Sequence, residues 1–337
     1  MSKTKIIKTA NYIIKILIII LSFGFIAYRM FYKQNISELY ESLTIIISDS
    51  RSFVLIIIVF VLMLLNWSLE SIKWRLLIRK IENVSFIKSF IAVWAGMTSG
   101  IFTPNRIGEY FGRSFILEKA NRWEGVFITF TGSLSQLLAT LAMGTISVFF
   151  FVGSINNLSY EYNSLLLYGS MATTVIVTLL TGLFYFRISW VKRFVQKLIP
   201  GKYARFSSHF DVLSKYKIKE LINVLILSFI RYVVFSFQFY ILFRLCKVNL
   251  PLVDGLMLIS IIYLIMTAIP TFALTELGVR GSVSILLLDI YFNNINQNTS
   301  DLIAGTMLAA FLIWFINLII PSIIGGIFVF RLKFFRS

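Results

Sequence analysis

Apolar residues run in long unbroken blocks along this chain, with polar positions gathered between them rather than alternating within them. Six blocks, at roughly 12–32, 52–69, 124–152, 164–186, 221–245 and 302–330, reach the length a bilayer-spanning helix needs, about 20 residues with wide tolerance. Two further blocks, 86–103 and 252–269, each stop at a proline and are followed by a shorter apolar arm, 107–117 and 277–292. Proline ends a helix because it lacks the N–H and clashes with the preceding turn. The pattern therefore predicts an all-α polytopic membrane protein: about six spanning helices plus two re-entrant, proline-broken hairpins. No linker, low-complexity tract or second domain interrupts it, so residues 1–337 read as a single transmembrane domain.

The two proline-ended blocks lead into the same spelling. The first continues Thr103-Pro104-Asn105-Arg106-Ile107-Gly108-Glu109, then Arg113; the second passes Pro270 and gives Glu276-Leu277-Gly278-Val279-Arg280. Glu-x-x-x-Arg places carboxylate and guanidinium one turn apart on one helix face. Each ionisable group costs roughly 2.5–3.5 kcal/mol to insert at the centre of a membrane helix, so a duplicated arrangement beside two prolines points to use. Pro104, Gly108, Pro270 and Gly278 are the expected hairpin breaks. Arg106, Glu109, Arg113, Glu276 and Arg280 form the candidate substrate site. Three arginines against two glutamates leave +1, which suits a phosphate, since the guanidinium fork matches its oxygens. The competing reading is that each pair only neutralises its own charge and locks its hairpin.

Composition narrows the class. The chain is 58% hydrophobic and 14% charged, against about 25% charged in an ordinary soluble domain. Its formal charge of +17 is distributed as orientation signals are, and no basic-aromatic array resembles a nucleic-acid reader. One cysteine, Cys246, and one histidine, His209, exclude an intrachain disulfide and a Cys/His metal or haem site; neither cofactor nor metal is expected. No G-x-S-x-G, H-E-x-x-H or P-loop motif occurs, and the expectation is a protein that is not an enzyme.

Charge sets the topology. With both proline units as hairpins, one set of loops carries 22 of the 32 Lys and Arg, nine of them between Arg187 and Lys219, while Gly153–Asn163 and Asn293–Asp301 carry none. The basic set is then cytoplasmic, with both termini inside and the protein in the inner membrane. The hairpins open from opposite sides, an inverted repeat, which places a site near the midplane. The N-terminal Lys3, Lys5, Lys8 and Lys15 precede an apolar run without a small-x-small cleavage site, read as an uncleaved first helix. The 187–219 loop, with Trp190, Phe194, Leu198 and Ile199 among its cations, reads as an orientation signal or a segment lying on anionic headgroups. Arg231, inside a span, either joins the site or pairs elsewhere. Glu70, among Trp67, Lys73 and Trp74, reads as an interfacial anchor charge, and Asp254 and Asp289 as solvated.

Pro104-Asn105-Arg106-Ile107-Gly108-Glu109 with Arg113, and Leu277-Gly278-Val279-Arg280, resemble the two signatures of the lysylphosphatidylglycerol synthase transmembrane, or flippase-like, family. The resemblance covers nearly the whole chain. It implies a helical membrane domain that moves lipids between leaflets: a phospholipid, an aminoacyl-phospholipid or a polyprenyl-phosphate-linked lipid. The best-known members flip an aminoacylated phospholipid and carry a fused soluble aminoacyl-transferase. The present sequence ends shortly after its last apolar block, so that synthesis is not expected of it, and a separate lipid- or glycan-modifying enzyme is the partner it leaves room for. Asn105 stands where the family commonly has Gly, and Thr275-Glu276 replaces a Gly-rich approach, so the carry-over is firmer at Glu109 than at Glu276. Alternatives are an accessory subunit of an envelope-lipid or glycan enzyme, a membrane-embedded transferase, and a DedA-like protein, which shares the hairpin architecture.

Overall fold

Uninterrupted apolar sequence in a membrane must satisfy every backbone group internally, which leaves helices as the solution. A computed structural model describes residues 50–101, 103–156, 164–190, 208–271, 273, 275–294 and 300–330, and among them no strand occurs. The helices are α1 (Ser50–Ile78), α2 (Phe86–Gly100), α3 (Ile107–Ser114), α4 (Arg122–Asn156), α5 (Ser164–Phe186), α6 (Ile218–Leu245), α7 (Leu252–Ala268), α8 (Thr275–Asn294), α9 (Ser300–Trp314) and α10 (Ile320–Val329). A π-helical turn, Phe315–Ile319, joins α9 to α10 without a break. Five stretches are long and apolar enough to cross a membrane: Ser52–Ile78, Arg122–Gly153, Tyr168–Phe186, Ile218–Leu245 and Leu302–Val329. These are five of the six spans expected from sequence; the sixth, 12–32, and most of the 187–219 loop lie outside the described residues.

α2 and α3 are too short to cross. Fifteen and eight residues reach about 22 and 12 Å at 1.5 Å per residue, against a hydrocarbon core of about 30 Å. They fold back on each other, and the contact is nearly backbone to backbone: a Cβ on Gly108 would lie 2.1 Å from the Ser99 carbonyl oxygen, and one on Gly112 2.8 Å from the Gly96 Cα. Lipid offers no hydrophobic drive to pair helices, so such close approach through small residues is how membrane helices adhere. The loops before and after this hairpin meet at one end of the bundle. There Glu82 accepts the backbone N–H groups of Glu118, Lys119 and Ala120 at 3.1, 2.8 and 2.9 Å. Burial works against the charged form, but these bonds prevail and hold the carboxyl below its usual range. At the same end Lys80 pairs with Glu220 (2.6 Å) and the Tyr216 hydroxyl donates to the Leu77 carbonyl (2.8 Å).

The second hairpin, α7 and α8, follows the far end of α6. α6 runs 28 residues away from Glu220, about 42 Å, and delivers Cys246 against Gly305 near the start of α9. The Tyr291 hydroxyl donates to Asp254 (2.5 Å) across the mouth of this hairpin. α5 sits on the periphery, packed mainly on α4, with Leu179, Leu180 and Leu183 exposed as a lipid-facing surface requires.

Candidate functional site

The hairpin tips meet at a junction whose outermost residues, Pro104, Asn105, Ile269 and Pro270, are exposed. Pro104 opens a single 3-10 turn, Pro104–Arg106, in which Asn105 and Arg106 both take positive φ, 47° and 56°. Left-handed backbone costs a non-glycine residue roughly 1–2 kcal/mol. Two in succession persist only where the surroundings impose them, and such strain gathers at functional sites. The restraint is visible. The Thr103 hydroxyl accepts the Gly108 N–H (2.9 Å). Asn105 donates its backbone N–H to the Thr271 carbonyl (3.0 Å) and accepts the Thr271 N–H on Oδ1 (3.2 Å). The second tip is fixed in turn to α9, where the Trp314 indole N–H donates to the Ala273 carbonyl (2.5 Å).

The left-handed turn aims Arg106 across the junction, where its Nη2 donates to Glu276 Oε2 at 2.5 Å. Arg280 Nη2 takes the other oxygen of that carboxylate at 2.6 Å. Glu276 thus ties the two hairpins together. In the first hairpin Arg113 donates to Glu109 through Nη2 and to Glu70 Oε1 through Nη1, the latter at 2.6 Å. Glu70 also receives Arg231 (2.8 Å) and Lys73 (2.7 Å) on Oε2. The expected interfacial role of Glu70 is therefore incorrect: it is buried, and three cations from α1, α3 and α6 converge on it. Arg231 does both things open to it from sequence, since it pairs with Glu70 and also faces the cavity described next. All five candidate residues, Arg106, Glu109, Arg113, Glu276 and Arg280, fall into these two linked clusters. Of the four candidate breaks, Pro104 and Pro270 interrupt the helical runs. Gly108 and Gly278 lie inside α3 and α8; Gly108 is required by its contact with α2, whereas a Cβ on Gly278 would meet nothing within 4 Å.

A partly open cavity of about 270 Å³ lies where the tips meet, and Arg106, Arg231, Arg280 and Glu276 all line it. Arg280 is the informative side chain. It is 95% buried, yet its Nε and Nη1 have no hydrogen-bond partner. The neighbouring Tyr263 hydroxyl bonds to the Phe235 carbonyl (3.4 Å) and lies close enough to the guanidinium to interact with it. Buried donors without acceptors carry a desolvation cost of roughly 1–3 kcal/mol each, more when charged. The rings of Phe239 and Tyr263, 5.9 and 5.6 Å from the guanidinium carbon, offset part of it.

Besides these charges, the cavity wall presents aromatic rings and the side-chain amides of Asn66, Gln136 and Asn317. The chain matches the family described as the lysylphosphatidylglycerol synthase TM region over residues 12–325. The chain belongs to this family. It is an integral membrane protein tied to lipid biosynthesis or translocation. No curated protein and no solved structure matches it.

In this member of the lysylphosphatidylglycerol synthase TM region family, the site holds residues that the signatures omit. Arg231 Nε donates to Asn66 Oδ1 (2.8 Å) and Nη1 reaches Gln136 (3.3 Å). Asn317 donates to Gln238 (3.0 Å), which donates to the Val59 carbonyl (2.9 Å). Asn317 sits on the π-helical turn. Pro321, four residues on, supplies no N–H to close an α-helical turn there, and the helix widens instead. The signal for these residues was present as amides and a proline inside apolar spans, but no short-range spacing connected Asn66 to Gln136, Gln238 and Asn317. Their association is a product of helix packing.

Proposed function

We propose that this protein carries a lipid with a phosphate-bearing headgroup from one leaflet to the other, without itself catalysing a covalent change. The observation that carries the reading is the charge of the cavity: Arg106, Arg231 and Arg280 line it with a single carboxylate, Glu276, where the two hairpins touch tip to tip. A headgroup must shed water to cross hydrocarbon, and fixed guanidinium and amide donors replace that hydration at little reorganisation cost. Hairpins opening on opposite sides, each ending at this cavity, form an inverted repeat in which loosening one tip junction and then the other exposes the site to each leaflet in turn. The Arg106–Glu276 pair and the Asn105–Thr271 bonds are the contacts that must open.

In this reading the basic loops face the cytoplasm of an inner membrane and both termini lie inside. Cysteines introduced by Ser208→Cys and Asn296→Cys, in a Cys246→Ser background, report it. An impermeant thiol reagent applied to intact cells should label the second and spare the first; the reverse result overturns the orientation. The transport reading is tested with the purified chain in proteoliposomes, where it should move a headgroup-labelled phospholipid or a polyprenyl phosphate between leaflets. If no tested lipid moves while deletion in cells disturbs the product of a separate lipid- or glycan-modifying enzyme, the chain is an accessory subunit and this reading falls.

A further inference from the structure

Among the described residues, the linked clusters hold five cations, Lys73, Arg106, Arg113, Arg231 and Arg280, against three carboxylates, Glu70, Glu109 and Glu276. The formal balance is +2, one unit more than the two sequence signatures alone supply. Every carboxylate is already engaged, Glu70 by three cations and Glu276 by two. An uncompensated pair of charges inside a membrane bundle is costly. The excess also has a location. Three arginines, Arg106, Arg231 and Arg280, and one carboxylate, Glu276, line the cavity.

We infer that the cavity takes the dianionic phosphate monoester head of a lipid. This rests on the lipid-translocation reading and narrows it. A phosphate monoester carries about −1.5 to −2 at neutral pH, with its second pKa near 6, and offers three strong acceptor oxygens. It closes the +2 balance. A phosphodiester closes half of it, a zwitterionic headgroup none, and lysyl-phosphatidylglycerol, with net positive charge, would add to the excess. The space agrees with a small head on an apolar tail. About 270 Å³ is room for a phosphate and its first carbons. A second cavity of about 290 Å³ shares Arg106 and Thr267 with it and runs along Leu137, Met266, Ile269 and Pro270, an apolar wall for the chain that follows the phosphate.

The test uses water-soluble probes on the purified chain: geranyl monophosphate, its methyl diester, short-chain lysyl-phosphatidylglycerol and inorganic phosphate. Binding is measured at about pH 7.5 and about pH 5, either side of the monoester's second ionisation. The titratable and charged groups facing the phosphate are Arg106, Arg231, Arg280, Glu276 and the phenols of Tyr232 and Tyr263. Protonation of Glu276 would act on both prenyl probes alike, so the monoester-to-diester ratio isolates the ligand's own charge. The monoester should bind at least about tenfold tighter than the diester at the higher pH, the factor one extra charge-assisted hydrogen bond supplies. The ratio should fall towards one at the lower pH, and Arg280→Met should abolish it without unfolding the protein. Equal or tighter binding of the diester or of the lysyl lipid at the higher pH overturns the inference. Inorganic phosphate binding as tightly as the prenyl monoester overturns the lipid identification in favour of free phosphate. Proteoliposomes separate the two levels: movement of diester lipids but not of a prenyl monophosphate defeats this inference alone, whereas movement of no lipid defeats the translocation reading beneath it.

Discussion

In the first hairpin, Arg113 commits both terminal nitrogens to carboxylates, Glu109 on its own helix and Glu70 on α1. In the second, Arg280 commits one to Glu276 and lines the cavity, which Arg113 does not. The spelling Glu-x-x-x-Arg is the same in both. What differs is the third partner. α1 brings a buried carboxylate to the first pair, while no described helix brings one to the second, where aromatic rings stand instead. Backbone packing differs in the same sense: α3 lies against α2 at glycine-limited distance, whereas Gly278 on α8 is open. In the proposed transport reading, Arg113 then serves the fold of the first hairpin, and Arg280 joins Arg106 in serving the ligand. Two identical sequence pairs can thus differ in their surroundings, decided by a residue some forty positions away from the nearer of them.

The largest expected effect comes from Glu70→Gln. It removes the shared partner of Lys73, Arg113 and Arg231, and stranding a buried charge costs about 3–5 kcal/mol. Thermal unfolding in detergent should show a chain that is barely folded, and a wild-type melting temperature would remove Glu70 from the centre of the first cluster. Arg113→Met should also destabilise, by less, because Glu70 keeps Lys73 and Arg231. Equal melting temperatures for Arg113→Met and Arg280→Met would break the division drawn between the hairpins.

A smaller effect contrasts two glycines. Gly108→Ala drives a methyl into the Ser99 carbonyl and should cost about 1–3 kcal/mol, the usual range for overpacking. Gly278→Ala meets open space and should stabilise α8 by about 0.5–1 kcal/mol, the difference in helix preference. Unfolding midpoints of the two variants should move in opposite directions; a loss at Gly278 would mean that the second hairpin is as closely packed as the first.

The smallest effect concerns the loops that anchor the first hairpin. The Glu82 carboxyl is held below its usual range despite burial, by the three backbone N–H groups it accepts. A depressed folded pKa adds stability at pH values above the unfolded value, about 4.3, and that stability is lost as pH falls through the folded value. Glu82→Gln should therefore lower stability at neutral pH by about 1 kcal/mol or less, given its partial exposure, and the gap from wild type should close as the solution is acidified below pH ~4. A gap independent of pH would assign the effect to shape rather than charge.

The spans were legible because a bilayer permits so few solutions: length and hydropathy alone located five helices that the structure contains. The tips were legible because Pro104 and Pro270 break helices wherever they fall. The partner of Arg113 was not legible. Glu70 and Lys73 lie one turn apart near two tryptophans, a pattern equally suited to an interface, and only the packing of α1 against α2 and α6 turns them inward. Asn317 was hidden for a related reason: an amide in an apolar block announces itself, but the π-helical turn that presents it is set by Pro321 and by neighbours distant in sequence.

The central claim is that Arg280 serves a ligand and Arg113 serves the fold. It is tested most directly by lipid translocation in proteoliposomes containing Arg280→Met, normalised to folded protein. The account predicts a variant that melts close to wild type, because Glu276 retains Arg106, yet moves lipid at least about tenfold more slowly, as loss of one charged hydrogen-bonding group implies. Wild-type transport by the folded variant, or its failure to fold, would contradict the account.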